Sequence, residues 1–314
     1  MGSAVSFLGY FSVAVFIFMV MYRFTKFNSM PLHLRWELYP LPLEPKHHYG
    51  GSFMEELDYV SKPRHHIRIN GILDMASEVF LLKKVKEYNR YGMWPFSFAM
   101  HWGIYLVCLW VLLLLVEVIF DWGAIYSVTN VVGTVAVFIG AFGSLGLLLK
   151  RIGNDEIKAY TAPVDYFNLL FMLAIFGAGI IGLFTGQPFQ SFFVDARTSI
   201  AGAVSFQPTA VPFWTALHFL LFELFLLYMP FSRLFHYVAK YFTFDKIYWD
   251  DILNVKGSSI DKKITSQLSY KLTWAGPHIV PGKTWAEEVE IADAREGKEE
   301  YPFTGFPDTL LKKS

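Results

Sequence analysis

Apolar residues along the chain gather in five long runs, near Ala4–Tyr22, Phe98–Phe120, Tyr126–Leu149, Val164–Phe184 and Val211–Phe235. Each is long enough to cross about 30 Å of hydrocarbon as a helix. The first lacks a basic leader and a small-x-small cleavage site, so it reads as a retained span rather than a signal peptide. Trp94, Trp122, Tyr126 and Trp214 fall at run ends, where amphipathic rings favour the membrane interface. The pattern predicts an all-α membrane protein with five transmembrane helices. Its parts are a first span in 1–24, a long loop over 25–93, a four-helix membrane core over 94–238 and a tail over 239–314. The loop includes an amphipathic pattern, "ILDMASEVFLLKKVKEYNRYG", that predicts one helix, and 185–210 reads as a connecting loop.

Composition and charge add the orientation. The 314 residues are 54% hydrophobic and 17% charged, well below the roughly 25% charged of an average soluble domain. Of the 27 Lys and Arg, 26 lie in the 23–90 loop, the 150–158 turn and the stretch from Arg233 onward, and Arg197 alone lies opposite. The positive-inside rule makes the crowded side cytoplasmic, which puts the amino terminus outside and the carboxyl terminus inside a cell inner membrane. A formal net charge of zero gives no footprint for nucleic acid. One cysteine, Cys108, excludes disulfides, thiolate iron–sulfur clusters and covalent c-type haem within this chain.

Nine histidines are present, and only His101, His218 and His236 lie in or beside the apolar runs. Span two begins on the basic side and span five on the other, so His101 and His236 share a depth. His218 lies roughly 25 Å from His101 along the membrane normal. As one helix, the fifth run would carry His218 and His236 five turns apart on the same face. A lone intramembrane His more often hydrogen-bonds a neighbouring helix. A depth-matched pair on facing helices suits the two axial ligands of a b-type haem.

Five spans, one His early in span two and a His-x17-His pair on span five resemble the gamma subunit of respiratory nitrate reductase. The inserts "LRWELYPLPLE", "YGGSFMEELDYV" and "WAGPHIVPGKTWAE" are similar to the branch serving heterodisulfide-reductase-like complexes of sulfur metabolism. The resemblance implies a cytochrome b subunit that moves electrons between membrane quinone, menaquinone included, and a cytoplasmic iron–sulfur protein in a hetero-oligomeric complex. By the same resemblance His101 and His236 hold the inner haem iron, and His218 is one ligand of an outer haem. The family's other outer ligand falls ten residues after His101, and that position here is Val111, which cannot bind iron. The outer haem is therefore either absent or bound by His218 with a weak or missing sixth ligand.

Several residues extend this reading. Arg233, Arg151 and Lys150 stand near the basic side, where they would pair with haem propionates or simply follow the topology. Gly133, Gly140, Gly143 and Gly146 admit either a flat macrocycle or a neighbouring backbone. Pro230 is placed to kink span five and aim His236. Quinol oxidation releases protons, and Glu223 with His218 is the expected quinone and proton site, with Glu117 a second buried carboxylate. Each of these carboxylates has the alternative of a hydrogen bond to a neighbouring helix. Trp36, Tyr39, Tyr59, Trp274 and Trp285 give the loop and tail the aromatic content of a docking surface. A haem-free anchor of the same complex and, with less support, a proton or solute transporter remain as alternatives.

Overall fold

A computed structural model describes residues 2–29, 68–186, 191–247, 256–275 and 279–288. The chain divides into two compact units: Met1–Phe24 with Ile67–Lys240, and Thr25–His66 with Tyr241–Ser314. The first unit is a helical bundle. Its long helices are α1 (Gly2–Ser29, whose last turns belong to the second unit), α4 (Trp94–Phe120), α5 (Tyr126–Gly153), α7 (Pro163–Thr185) and α9 (Phe213–Tyr228). All five are long and apolar enough to cross a membrane. Shorter helices are α2 (Arg68–Phe80), α3 (Lys83–Glu87), α6 (Asp155–Ala159), α8 (Ser191–Val204), α10 (His236–Ile247) and α11 (Ser259–Leu268).

The ends of these helices follow from local chemistry. Pro95 and Pro163 sit in the first turns of α4 and α7, where no N–H is needed. Asp121 closes α4 in the left-handed conformation (φ 49°) and returns its N–H to the Glu117 carbonyl. Asn154 starts α6 by accepting from the Ile157 N–H at 3.0 Å.

Packing inside the bundle relies on close approach, because lipid supplies no hydrophobic force between helices. A Cβ at Gly103 of α4 would collide with the Gly140 backbone of α5, so these two helices touch main chain to main chain. Protein groups fill the positions beside the other span-three glycines: the Trp110 and Phe193 side chains at Gly133, the Phe96 and Met100 backbone at Gly143, and the Phe96 ring at Gly146. Helix packing accounts for all four, with protein groups at each place. Outward, Leu112, Ile119, Phe138, Phe142 and Leu149 are exposed, as a lipid-facing surface requires.

Three expectations change. The fifth run is not one helix. Pro230 has no N–H to give, a short 3-10 turn spans Met229–Phe231, and Ser232 is extended (φ −107°, ψ 176°). The Ser232 hydroxyl then accepts from Leu234 N–H at 3.2 Å, and α10 begins at His236. His218 and His236 therefore belong to separate helices. Second, the expected loop over 185–210 contains α8, whose Phe192, Phe193 and Ala196 are buried in the bundle. Third, the amphipathic segment after Arg68 breaks at Leu82 (φ 50°), a left-handed leucine offset by Glu78, which accepts from the Lys84 N–H at 3.0 Å.

α2 is fixed to α4 by its exit. A helix leaves its last carbonyls without partners, and here Tyr105 donates to Val79 (2.9 Å), Trp102 to Phe80 (3.0 Å) and Trp94 to Leu81 (3.0 Å). The second unit has its own small fold. α11 leads into a turn of chain in which Leu272 N–H donates to Lys283, Gly282 N–H donates to Leu272, and Lys271 bridges Thr284. Its Trp274 and Trp285 rings meet edge to face at 6.4 Å. Trp36, Tyr39 and Tyr59 lie outside the described residues.

The Gly103–Gly140 contact generates a stability prediction. Gly103→Val forces α4 and α5 apart and lowers unfolding stability in detergent by about 1–3 kcal/mol, whereas Gly177→Ala, with open space at its Cβ, leaves it unchanged. Equal stability of the two variants would contradict the close-packed seam.

Candidate functional site

His101 lies two turns into α4, and its Nδ1 meets the Ser97 carbonyl of the preceding turn at 2.7 Å. His236 opens α10, and its Nδ1 meets the Arg233 carbonyl at 3.3 Å. A carbonyl only accepts, so both Nδ1 atoms carry the proton and both Nε2 atoms keep a lone pair. That is the tautomer a metal needs, held by the backbone partner that metal-ligating histidines ordinarily have. The two ring centres stand 6.2 Å apart with planes at 76°. At metal–nitrogen distances of about 2 Å, imidazoles on opposite sides of one iron have centres about 6 Å apart. Each plane contains its own iron–nitrogen axis, so rotation of one ring against the other is free in such an arrangement. Among the described residues no three His, Cys, Asp or Glu gather as a cage. Two imidazoles alone suit an iron whose remaining ligands come from a macrocycle. In donor type and spacing the pair suits the two axial positions of one haem iron.

His218 is in a different setting. It is 2% exposed, and its Nδ1 meets the Ile175 carbonyl of α7 at 2.8 Å. Phe192, Trp110 and Phe219 ring it at centroid distances of 5.7, 6.1 and 6.1 Å. Gly179 lies against its imidazole edge, and Val111 is packed on the same core cluster. Aromatic side chains and the Gly179 backbone thus pack against this ring.

The two acidic candidates separate in the same way. Glu223 follows His218 by five residues, a turn of about 140° around α9, so it does not join His218. It faces α1 instead, where a Cβ at Gly9 would stand 2.9 Å from its Oε1. Glu223 is buried, and its Oε2 has no hydrogen-bond partner. Glu117, on α4, is 2% exposed and receives Arg197 Nε of α8 at 2.6 Å. The Arg197 guanidinium also donates to Asn130 Oδ1 (2.6 Å) and the Tyr126 carbonyl (3.2 Å), and lies 4.3 Å over the Tyr126 ring. Glu117 is thus held in an ion pair through one oxygen, while its Oε1, like Glu223 Oε2, has no hydrogen-bond partner.

Among the proposed propionate partners, Arg233 pairs with Asp165 at 3.6 Å while lending its carbonyl to His236. Arg151 donates to the Thr161 hydroxyl at 3.0 Å, beside α6 and α7. Sequence reasoning missed Glu78, which is buried at the end of α2 and bonded to Lys84 N–H and Lys240 Nζ. A glutamate in an amphipathic helix on the polar side of a membrane carries no signal of its own.

Comparisons with protein-family models, with curated proteins and with solved structures found no match.

The Arg197–Glu117 pair predicts a specific asymmetry. Breaking a buried pair from one side leaves a charge without compensation, at a cost of about 3–5 kcal/mol. Arg197→Gln should therefore destabilise the bundle strongly in an unfolding titration, and adding Glu117→Gln should recover most of the loss. A double variant as unstable as the sum of its parts would contradict this role.

Proposed function

We propose that this chain is a cytochrome b subunit that exchanges electrons between membrane quinone and a cytoplasmic iron–sulfur protein through a single b-type haem. The observation that carries the reading is the His101–His236 pair, with ring centres 6.2 Å apart and both Nδ1 atoms tied to carbonyls of their own chain. The resemblance of the span and histidine pattern to nitrate reductase gamma subunits, in the branch serving heterodisulfide-reductase-like complexes, supports the same reading. With the basic end of the bundle inside a cell's cytoplasmic membrane, the pair lies near the cytoplasmic face, within reach of a docked partner.

Each residue has a defined part. The carbonyls of Ser97 and Arg233 hold the two imidazoles in one tautomer and one orientation. A haem bound there supplies single-electron exchange, at a potential set by two neutral imidazoles and by burial. Glu223 presents a buried carboxylate with one unpartnered oxygen toward α1, the most lipid-exposed of the long helices. A carboxylate so placed is suited to accept the proton that a quinol hydroxyl releases on oxidation. His218, enclosed by aromatic rings, holds α9 to α7 through Ile175 and serves the packing of the core. The aromatic tail and loop, with Trp274 and Trp285, form the partner's docking surface.

His101→Ala and His236→Ala should each abolish the low-spin b-type spectrum while the five spans still insert. Glu223→Gln should leave haem content unchanged and slow quinol-linked reduction by about 10²-fold or more, the usual scale for loss of a general base. A full bis-imidazole spectrum in either histidine variant would overturn the ligand assignment. Undiminished turnover in Glu223→Gln would remove that carboxylate from the quinol chemistry.

A further inference from the structure

The two helices that carry the imidazole pair are joined through a third element that belongs to neither. α2 is clamped to α4 by three hydrogen bonds from Trp94, Trp102 and Tyr105, donors that bracket His101 in sequence. From the last turn of α2, Glu78 reaches the other way. Its Oε2 receives Lys240 Nζ of α10 at 3.1 Å, while Oε1 accepts from the Lys84 N–H at 3.0 Å. Lys240 follows His236 by four residues, one turn along the same face of α10. Glu78 is 3% exposed, so its charge is removed from water and its pairing is strong and directional.

We infer that Glu78 and Lys240 are positioning residues: with α2 as a brace, their ion pair sets the separation of α4 and α10 at which His101 and His236 face one iron. The break at Pro230–Ser232 gives such a brace a role. With α9 ended at Tyr228, no continuous helix carries the register of the bundle core to His236. The linking path is short and built of named bonds, from His101 along α4 to the Tyr105–Val79 hydrogen bond, then through Glu78 to Lys240 and back one turn to His236. The ligation role rests on the haem reading above, whereas the spacing role does not.

Glu78→Gln removes the carboxylate charge but keeps an oxygen for the Lys84 N–H, and Lys240→Gln removes the other charge. In the full chain in lipid nanodiscs, each single variant should lower low-spin haem per protein by about threefold or more. The double variant should lose no more than either alone, as coupling within one pair demands. Nitroxides on Cys108 (the one native cysteine) and on Tyr237→Cys read the α4–α10 distance with or without haem. That distance distribution should broaden in both single variants. Wild-type distances together with wild-type haem content in Glu78→Gln would overturn the brace. Broadened distances in a chain that binds no haem even as wild type would uphold the brace as a spacer and overturn the haem reading instead.

Discussion

Hydrocarbon offers no hydrogen bonds, so each polar group carried into the bundle must find its partner within the protein. The arrangement of side chains follows from that constraint. His218 turns to the Ile175 carbonyl, Arg197 gathers Glu117, Asn130 and a backbone oxygen, and His101 returns to Ser97. The end of α2, which would otherwise leave carbonyls bare beside α4, is closed by two indoles and a phenol. Glu223 Oε2, Glu117 Oε1, Trp110 Nε1, Ser144 Oγ and Arg151 Nε depart from the pattern, each buried without a hydrogen-bond partner.

Much of this was legible in the amino-acid pattern. Long apolar runs are a strong signal, and each of the five holds a helical segment long and apolar enough to span a membrane, the fifth ending at Phe231. The depth match of His101 and His236 was also readable, because it depends only on rise per residue and span direction. The break between His218 and His236 was not, since a periodicity argument extends a helix through any apolar run and Pro230 alone reads as a kink. α8 escaped notice because fourteen residues are too few for a span, and only its packing against Trp110 shows that Phe192 and Phe193 are core. The separation of His218 from Glu223 was implicit in a five-residue spacing. The pairing of Glu117 with Arg197, eighty residues distant, needed the fold.

The split of span five bears directly on the site. A continuous helix would fix His236 rigidly to the register of His218. The extended Ser232 and its flanking 3-10 turns instead let α10 take its own direction, and the Arg233 carbonyl, which accepts from the His236 N–H, also meets the His236 Nδ1. Close packing of α4 on α5 through Gly103 and Gly140 holds the helix that carries His101. One imidazole is thus carried by the rigid seam of the bundle and the other by a short helix with its own tether.

The central claim is that His101 and His236 share one haem iron while His218 binds none. The most direct measurement is the haem-to-protein ratio of the purified chain, by pyridine haemochrome assay against quantitative amino-acid analysis, with a reduced-minus-oxidised spectrum of the same sample. The account predicts a ratio near one with a low-spin b-type band. A ratio near zero, or near two, would contradict it.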